Sequence, residues 1–148
     1  MNRNLPEVLW ALSRQLHTRG FVGLARGVKA VNWMVHTCLL AAEVKVGAGV
    51  MLEHLALGVI IHPQVEIGSN CRIYHHVTLA SESYLGSPFK IVLGKGVTIG
   101  AHSIVVGRSN TSLTIGDGSF LGAGAVLTKN IPPGEVWAGN PAKKLRLV

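Results

Sequence analysis

From Val46 onward the chain places an aliphatic residue at every sixth position for most of its length, and half of these residues are followed by glycine. The position four places after each of these anchors is small or β-branched. An α-helix repeats its apolar face every 3.6 residues and an ordinary strand every 2, so a period of six needs another geometry. In a triangular solenoid, three short strands complete one turn and both positions point inward. The pattern therefore predicts a mainly β protein, a parallel β-helix of about four turns. Its anchors are Val46, Leu52, Ile61, Ile67, Ile73, Leu79, Leu93, Ile99, Val105, Ile115, Leu121 and Leu127.

The repeat is interrupted at three places, within residues 52–61, 79–93 and 105–115, where the spacing is nine, fourteen and ten. The extra residues must leave the coil as bulges or loops, and loops on a rigid scaffold are where functional sites tend to lie. The first interruption contains the charged pair Glu53 and His54 inside an almost wholly apolar run, "VMLEHLALGVIIHP". This pair is therefore the first candidate for chemistry.

Two helical segments precede the repeat. Asn4 can cap the first helix, whose apolar residues share one face, namely Leu5, Val8, Leu9, Leu12 and Leu16. A second helix, interrupted by glycines, is expected from about residue 21 to residue 40. We expect a helical cap at 1–42 that covers the open first turn, a β-helix at 43–131, and a C-terminal turn and basic tail at 132–148.

The composition is compatible with a solenoid that has a core of small side chains, and the net charge favours an anionic binding partner. The chain is 48% hydrophobic but only 5% aromatic and has 18 glycines, so small and branched aliphatic residues must form the core. Fourteen Lys and Arg against seven acids give a net charge of +7, which favours nucleic acid, a membrane surface or a phosphorylated cofactor. No helix-turn-helix or zinc-finger spacing is present, so nucleic acid is not an expected partner.

The cysteines and the N-terminus suggest a cytoplasmic protein. Cys38 and Cys71 have neither metal-ligand spacing nor the pattern of a disulfide framework, which fits a reducing compartment. The start of the chain has no secretion signal. Residues 21–42 are apolar, but Arg26 and Lys29 argue against a spanning helix. Peripheral contact of these helices with a membrane surface stays open beside their covering role.

Together with the six-residue repeat, the run "GVIIHPQVEIGSNCRIYHHVTLA" and the ending "GAGAVLTKNIPPGEVWAGNPAKKLR" resemble the hexapeptide-repeat acyltransferases. The likeness covers roughly residues 43–146 and is nearest to the serine-acetyltransferase-like branch. It implies a left-handed parallel β-helix, a homotrimer with active sites between subunits, and acetyl-CoA as the donor.

The resemblance also assigns the charged pair. The segment "MLEHLALG" matches the one that carries the family's general base, which is His54 here, and Glu53 matches an acidic residue that contacts the acceptor. Glu53 is therefore expected to place the acceptor or to support the base. The chemistry agrees, because acyl transfer to a hydroxyl needs a base within hydrogen-bond reach, with a pKa near the working pH. No Ser or Cys nucleophile signature is visible, so direct attack is expected.

By resemblance to sugar acetyltransferases of the same fold, the CoA site is expected in the second half of the chain. Ala101 and Ala123 match backbone contacts to CoA. Its polar and phosphate contacts match Thr128, Lys129, Lys143 and Arg146.

The acceptor is where the chain departs from serine acetyltransferases. Their Arg-His pair in the loop matching residues 80–92 is replaced by Phe89 and Lys90, and the aspartate that orients their base falls on Leu39. We therefore expect a sugar or polysaccharide-precursor hydroxyl as the acceptor, with serine as the alternative. Lys90 and His75 are candidate substrate contacts, and Glu43, Glu66 or a neighbouring subunit could orient His54.

Two other classes stay open. A γ-type carbonic anhydrase shares the fold, but His75, His76 and His102 lack that family's histidine pair five residues apart, so no metal is expected. A non-enzymatic scaffold would tolerate the loss of His54 and Lys129, and both are present.

Overall fold

The computed structural model describes residues 4–81 and 88–145, which form a three-sided β-solenoid behind two helices. Successive strands pass from sheet B to sheet C to sheet A, so that three strands make one coil. The predicted mainly β solenoid of about four turns is confirmed.

Sheet A contains β1 (Leu39–Leu40), β4 (Ile60–Ile61), β7 (Thr78–Ser81), β10 (Ile104–Gly107) and β13 (Val126–Leu127). Sheet B contains β2 (Lys45–Val46), β5 (Val65–Ile67), β8 (Lys90–Leu93) and β11 (Ser112–Ile115). Sheet C contains β3 (Met51–Leu52), β6 (Arg72–Ile73), β9 (Thr98–Ile99), β12 (Phe120–Leu121), β14 (Val136–Ala138) and β15 (Lys143–Lys144).

The predicted anchors form the core. All are buried except Val46, which is partly buried and packs against the rest. Corresponding anchors of successive coils pair in register, so that Ile73 lies between Leu52 and Ile99. Two buried serines stand at small inward positions, and each hydroxyl donates to a carbonyl farther along the chain: Ser103 to Gly122 and Ser119 to Pro132, both at 2.8 Å. The small positions therefore stay compatible with a dry core because their polar atoms are satisfied.

The glycines after the anchors are explained by the close approach of the coils. A Cβ on Gly68 would lie 2.4 Å from the carbonyl oxygen of Gly94, and one on Gly100 would lie 2.5 Å from the amide nitrogen of Ala123. Neither glycine has a positive φ. What these positions require is the absence of a side chain rather than an unusual backbone angle.

The N-terminal helices are α1 (Leu5–Thr18) and α2 (Val22–His36), and they pack on each other and on the first coil. α2 ends four residues before the predicted boundary at residue 40, because Thr37 takes a left-handed conformation with φ of 55°. The chain then enters sheet A, where the Leu39 amide donates to the Val59 carbonyl at 2.8 Å. Neither helix is long and apolar enough to cross a membrane.

The apolar residues that share a face of α1 are not its buried residues. Leu5, Val8 and Leu12 are exposed, and the buried residues of α1 are Pro6, Trp10 and Ser13. Trp10 decides the orientation, because burial of its ring needs an acceptor for the indole N–H, and Nε1 donates to the Ala41 carbonyl at 2.8 Å.

α2 also turns an apolar face outward. Its outward side chains carry no acidic group, since no Asp or Glu occurs between Glu7 and Glu43. Peripheral contact of this face with a membrane surface stays a prediction. The large apolar side chains exposed in and beside α2 are Phe21, Val22, Leu24, Val31, Trp33, Met34 and Val35.

Candidate active site

His54 stands on a strained bulge formed by residues 53–56. His54, Leu55 and Ala56 have φ values of 52°, 56° and 54°, which is the left-handed region, and none of them is glycine. Each residue costs roughly 1–2 kcal/mol in this conformation, so the surrounding structure must hold it. The Leu57 amide donates to the His54 carbonyl at 3.2 Å, and the side chain of Ala56 is buried. Strain of this kind is characteristic of functional sites, and here it leaves the His54 side chain exposed.

The N-terminus of α1 fastens the strand that leads into this bulge. The Glu7 carboxylate accepts a hydrogen bond from the Leu52 amide at 2.6 Å through Oε1, and one from the Asn4 amide at 3.2 Å through Oε2. The Asn4 side-chain amide donates to the Leu52 carbonyl at 3.2 Å. Both backbone groups of Leu52 are thus held by the helix immediately before Glu53 and His54. The helical segment therefore positions the candidate base as well as covering the first coil.

Four histidines meet where sheet C passes into sheet A, and we call this edge the histidine corner. The His54 and His75 rings lie 4.8 Å apart, edge to face, and His75 lies 5.2 Å from His102. His76 and His102 stack at 4.7 Å. Tyr74 approaches His54 at 6.0 Å. The corner therefore gathers His54, His75, His76 and His102 from three successive coils.

His75 occupies the centre of this corner. It is half-buried, and its Nδ1 is buried without a hydrogen-bond partner among the described residues. Removal of the ring from water lowers the pKa of His75, and the neighbouring imidazoles of His54, His102 and His76 lower it further. A neutral imidazole is thus favoured beside the candidate base.

The sequence contained a signal for this corner that its interpretation missed. His54, His75 and Ala101 each come two places after an anchor of sheet C and therefore occupy equivalent positions in successive coils. His102 follows Ala101, so it is equivalent to His76 in the preceding coil. The His102 amide donates to the His75 carbonyl at 3.0 Å, which fixes this register. Counting turn positions from the anchors would have brought His102 to the site.

The predicted CoA residues lie on both edges of sheet A. Ala101 and Ala123 extend the histidine corner, and the Gly124 amide donates to the Ala101 carbonyl at 2.8 Å across the coils. Thr128 and Lys129 lie at the opposite edge, where sheet A passes into sheet B, and line a cavity of about 330 Å³. Lys143 is exposed in β15, and Arg146 lies outside the described residues.

One relative decides the family. The serine acetyltransferase of Helicobacter pylori is 30% identical over 136 residues, which are 92% of this chain and 77% of that protein. The chain belongs to the serine acetyltransferase family. The hexapeptide-repeat acyltransferase resemblance, with its serine-acetyltransferase-like branch, is thereby confirmed.

This member of the serine acetyltransferase family is also similar to a solved serine acetyltransferase and to a galactoside acetyltransferase. Soybean serine acetyltransferase complexed with serine superposes with a TM-score of 0.87 and 29% identity, over 95% of this chain and 56% of the soybean chain. Galactoside O-acetyltransferase of Escherichia coli is 37% identical over 89 residues, 60% of this chain and 40% of that protein. No model of a protein family matches the chain. The chain spans about half the length of the solved serine acetyltransferases it matches.

The acidic candidates differ in their availability. Glu53 makes no hydrogen bond or ion pair within residues 4–81 and 88–145, so its carboxylate can bind the substrate that accepts the acetyl group. Glu66 pairs with Lys45 at 2.9 Å and with Lys90 at 3.0 Å. These bonds lower the pKa of Glu66 and occupy the carboxylate on sheet B. Lys90 as a substrate contact stays a prediction, and its ammonium is held by Glu66.

In the described part of the chain, neither Glu43 nor Glu66 makes a hydrogen bond or ion pair with His54, and Glu66 is paired with Lys45 and Lys90. The nearest rings to His54 are those of His75 and Tyr74. Among the described residues, no group of three His, Cys, Asp or Glu side chains is arranged to hold a metal ion.

Proposed function

We propose that this protein is an acetyl-CoA-dependent O-acetyltransferase that uses L-serine as its acceptor. The observation that carries the proposal is the strained bulge that presents His54 beside Glu53 at the histidine corner, in a chain of the serine acetyltransferase family. A left-handed turn of non-glycine residues is retained where function needs it.

His54 acts as the general base. It takes the proton of the acceptor hydroxyl, and the hydroxyl oxygen attacks the carbonyl carbon of the acetyl thioester. A C–O bond forms, the C–S bond breaks, and the proton passes from His54 to the departing CoA sulfur. No acyl-enzyme intermediate is needed, because donor and acceptor are bound together.

Glu53 selects the acceptor. Its unpaired carboxylate follows the bulge entry directly, and a carboxylate there pairs with the ammonium group of an amino acid. The comparisons favour serine over the sugar acceptor that the missing Arg-His pair had suggested, because the Helicobacter relative is a serine acetyltransferase and the soybean relative was solved with serine. Serine is therefore the acceptor we propose.

We propose that the protein forms a homotrimer through sheet A. The outward residues of sheet A stack in register from coil to coil and carry no charge. Three of them are large, apolar and about 40% exposed, at 43% for Leu39, 39% for Ile60 and 40% for Ile104. The outward face of sheet B carries the Lys45–Glu66–Lys90 ion pairs instead. An exposed apolar face favours contact with another copy, and a charged one does not.

This arrangement supports a shared active site. The histidine corner and the Thr128–Lys129 edge lie on opposite sides of sheet A. Three-fold packing through sheet A brings the histidine corner of one copy towards the Lys129 edge of the next. The acetyl group and the phosphates of one acetyl-CoA molecule then contact two different subunits.

The test is release of free thiol from acetyl-CoA with L-serine, galactosides and nucleotide sugars. Wild-type protein should turn over with serine, and His54→Gln should lose roughly 100-fold or more in kcat. His17→Gln is the matched control, because His17 lies near the end of α1 outside the histidine corner. Turnover with a sugar but not with serine would replace the acceptor. Full turnover by His54→Gln would remove His54 from the mechanism.

A further inference from the structure

The third interruption of the repeat, residues 105–115, has no part in the chemistry described above. It forms a loop between β10 and β11, at the edge where sheet A passes into sheet B. Thr111 donates to the Arg108 carbonyl twice, through its amide at 3.2 Å and its hydroxyl at 2.7 Å, and the Asn110 amide donates to the Pro88 carbonyl at 2.6 Å. These bonds give the loop a defined shape in which Arg108 is exposed.

The loop forms one wall of the cavity of about 330 Å³, and Lys129 lies on another. Two cations, Arg108 and Lys129, therefore line one concave site. The hydroxyl side chains of Ser112 and Thr128 line it as well, whereas that of Thr111 already donates to the Arg108 carbonyl. None of the lining residues is acidic. Guanidinium, ammonium and hydroxyl donors around a concave surface are the groups that bind a phosphate.

We propose that this cavity binds the 3′-phosphate of CoA and that Arg108 makes the donor preference depend on that phosphate. The inference rests on the proposed function. The terminal phosphate is a monoester with a charge of about −1.5 to −2 near neutral pH and three free oxygens. The two cations and the hydroxyls of Ser112 and Thr128 match such a group better than one phosphate of the pyrophosphate bridge, which carries about one charge.

The position along the solenoid supports the assignment. In sheet A the strand that follows the His54 bulge is β4, and the strand that precedes Lys129 is β13. They are three strand spacings apart, and at about 4.8 Å each this is roughly 14 Å along the axis. The long pantetheine arm separates the thioester of CoA from its phosphates, so the phosphates must be held coils away from the base.

The experiment compares acetyl-CoA with acetyl-dephospho-CoA, which lacks only the 3′-phosphate. The variants are Arg108→Gln and, as a charge-matched control, Lys95→Gln, whose exposed side chain lies outside the cavity. Wild type should show a KM for acetyl-CoA about tenfold or more below that for acetyl-dephospho-CoA. Arg108→Gln should lose most of this difference with little change in kcat, and Lys95→Gln should keep it.

Each outcome is decisive for the assignment. An equal rise of KM for both donors in Arg108→Gln would place Arg108 on the pyrophosphate and overturn the 3′-phosphate site. An unchanged preference in Arg108→Gln would remove Arg108 from CoA binding. Absence of thiol release from either donor by wild type, with binding of 3′,5′-ADP still weakened by Arg108→Gln in calorimetry, would refute the proposed function and keep the phosphate site. Circular dichroism of each variant is the control that tests whether it is folded.

Discussion

At the scale of the residue, His75 is the group that most depends on its neighbours. Its half-buried ring lies 4.8 Å from His54 and 5.2 Å from His102. A charge on His75 is disfavoured by burial first and by the other imidazoles second. A neutral His75 leaves His54 free of an adjacent positive charge, which suits a base.

This shift predicts a pH-dependent stability. The folded-state pKa of His75 lies below its ordinary value of 6.5, so the unfolded chain binds a proton first as the pH falls. The contribution of His75 to stability is complete above pH 6.5 and is lost as the pH falls towards the folded-state pKa. Thermal denaturation should show a larger decrease in Tm from pH 7.5 to 5.5 for wild type than for His75→Gln. Equal decreases would show that His75 is not the group that senses pH.

At the scale of the element, α1 is coupled to the site by hydrogen bonds between side chains at its N-terminus and the backbone of Leu52. The Glu7 carboxylate holds the Leu52 amide, and Leu52 is the last residue of β3 before the bulge. The strained bulge can keep its left-handed turn only while its entry strand is fixed.

Glu7→Ala should therefore reduce activity more than a surface change would. The Leu52 amide loses its acceptor, and the expected loss of stability is about 1–3 kcal/mol. We expect kcat to fall roughly tenfold with an unchanged KM for acetyl-CoA, because the misplaced group is the base. Glu7→Gln keeps an oxygen acceptor and should recover most of kcat. Equal kcat in Glu7→Ala and wild type would contradict the positioning role.

Replacing glycine by alanine is expected to change the free energy of unfolding in opposite directions at two kinds of position in this chain. Gly68→Ala places a methyl group against the Gly94 carbonyl, and overpacking of this kind costs about 1–3 kcal/mol. Gly27→Ala adds a methyl group in open space in the interior of helix α2, where alanine is favoured by about 1 kcal/mol. Urea denaturation should show destabilisation in the first variant and stabilisation in the second. The same sign for both would contradict the close-approach explanation.

At the scale of the whole molecule, the uncharged column of outward residues on sheet A predicts self-association. It consists of Leu39, Ile60, Thr78, Ile104 and Val126. Ile104 lies in the middle of that column, between Thr78 and Val126. Ile104→Arg brings uncompensated charges into the proposed interface, so sedimentation should show the trimer replaced by monomer. Thiol release should fall with it if the active site is shared. The control Thr114→Arg lies on the outward face of sheet B and should remain trimeric. A monomeric but fully active Ile104→Arg would contradict the shared site.

The fold could be predicted from the sequence because a period of six is a local property. Each anchor and each small inward residue occupies an equivalent position in its coil. Anchors such as Ile73 and Leu127 are therefore buried, as the period of six predicts. The bulge at His54 was equally visible, since an insertion breaks the register of neighbouring anchors. The buried face of α1 could not be predicted in this way, because it depends on a hydrogen bond from the Trp10 indole to the carbonyl of Ala41, 31 residues away.

The sequence by itself determined the solenoid and the bulge that carries His54, since both follow from counting positions along the repeat. The tertiary structure decided which residues of different coils meet. It joined His102 to His75, Glu7 to Leu52 across 45 residues, and Arg108 to Lys129 across one cavity. The physical reason is that stacking coils bring together side chains whose separation is set by loop lengths, and neither periodicity nor composition specifies those contacts.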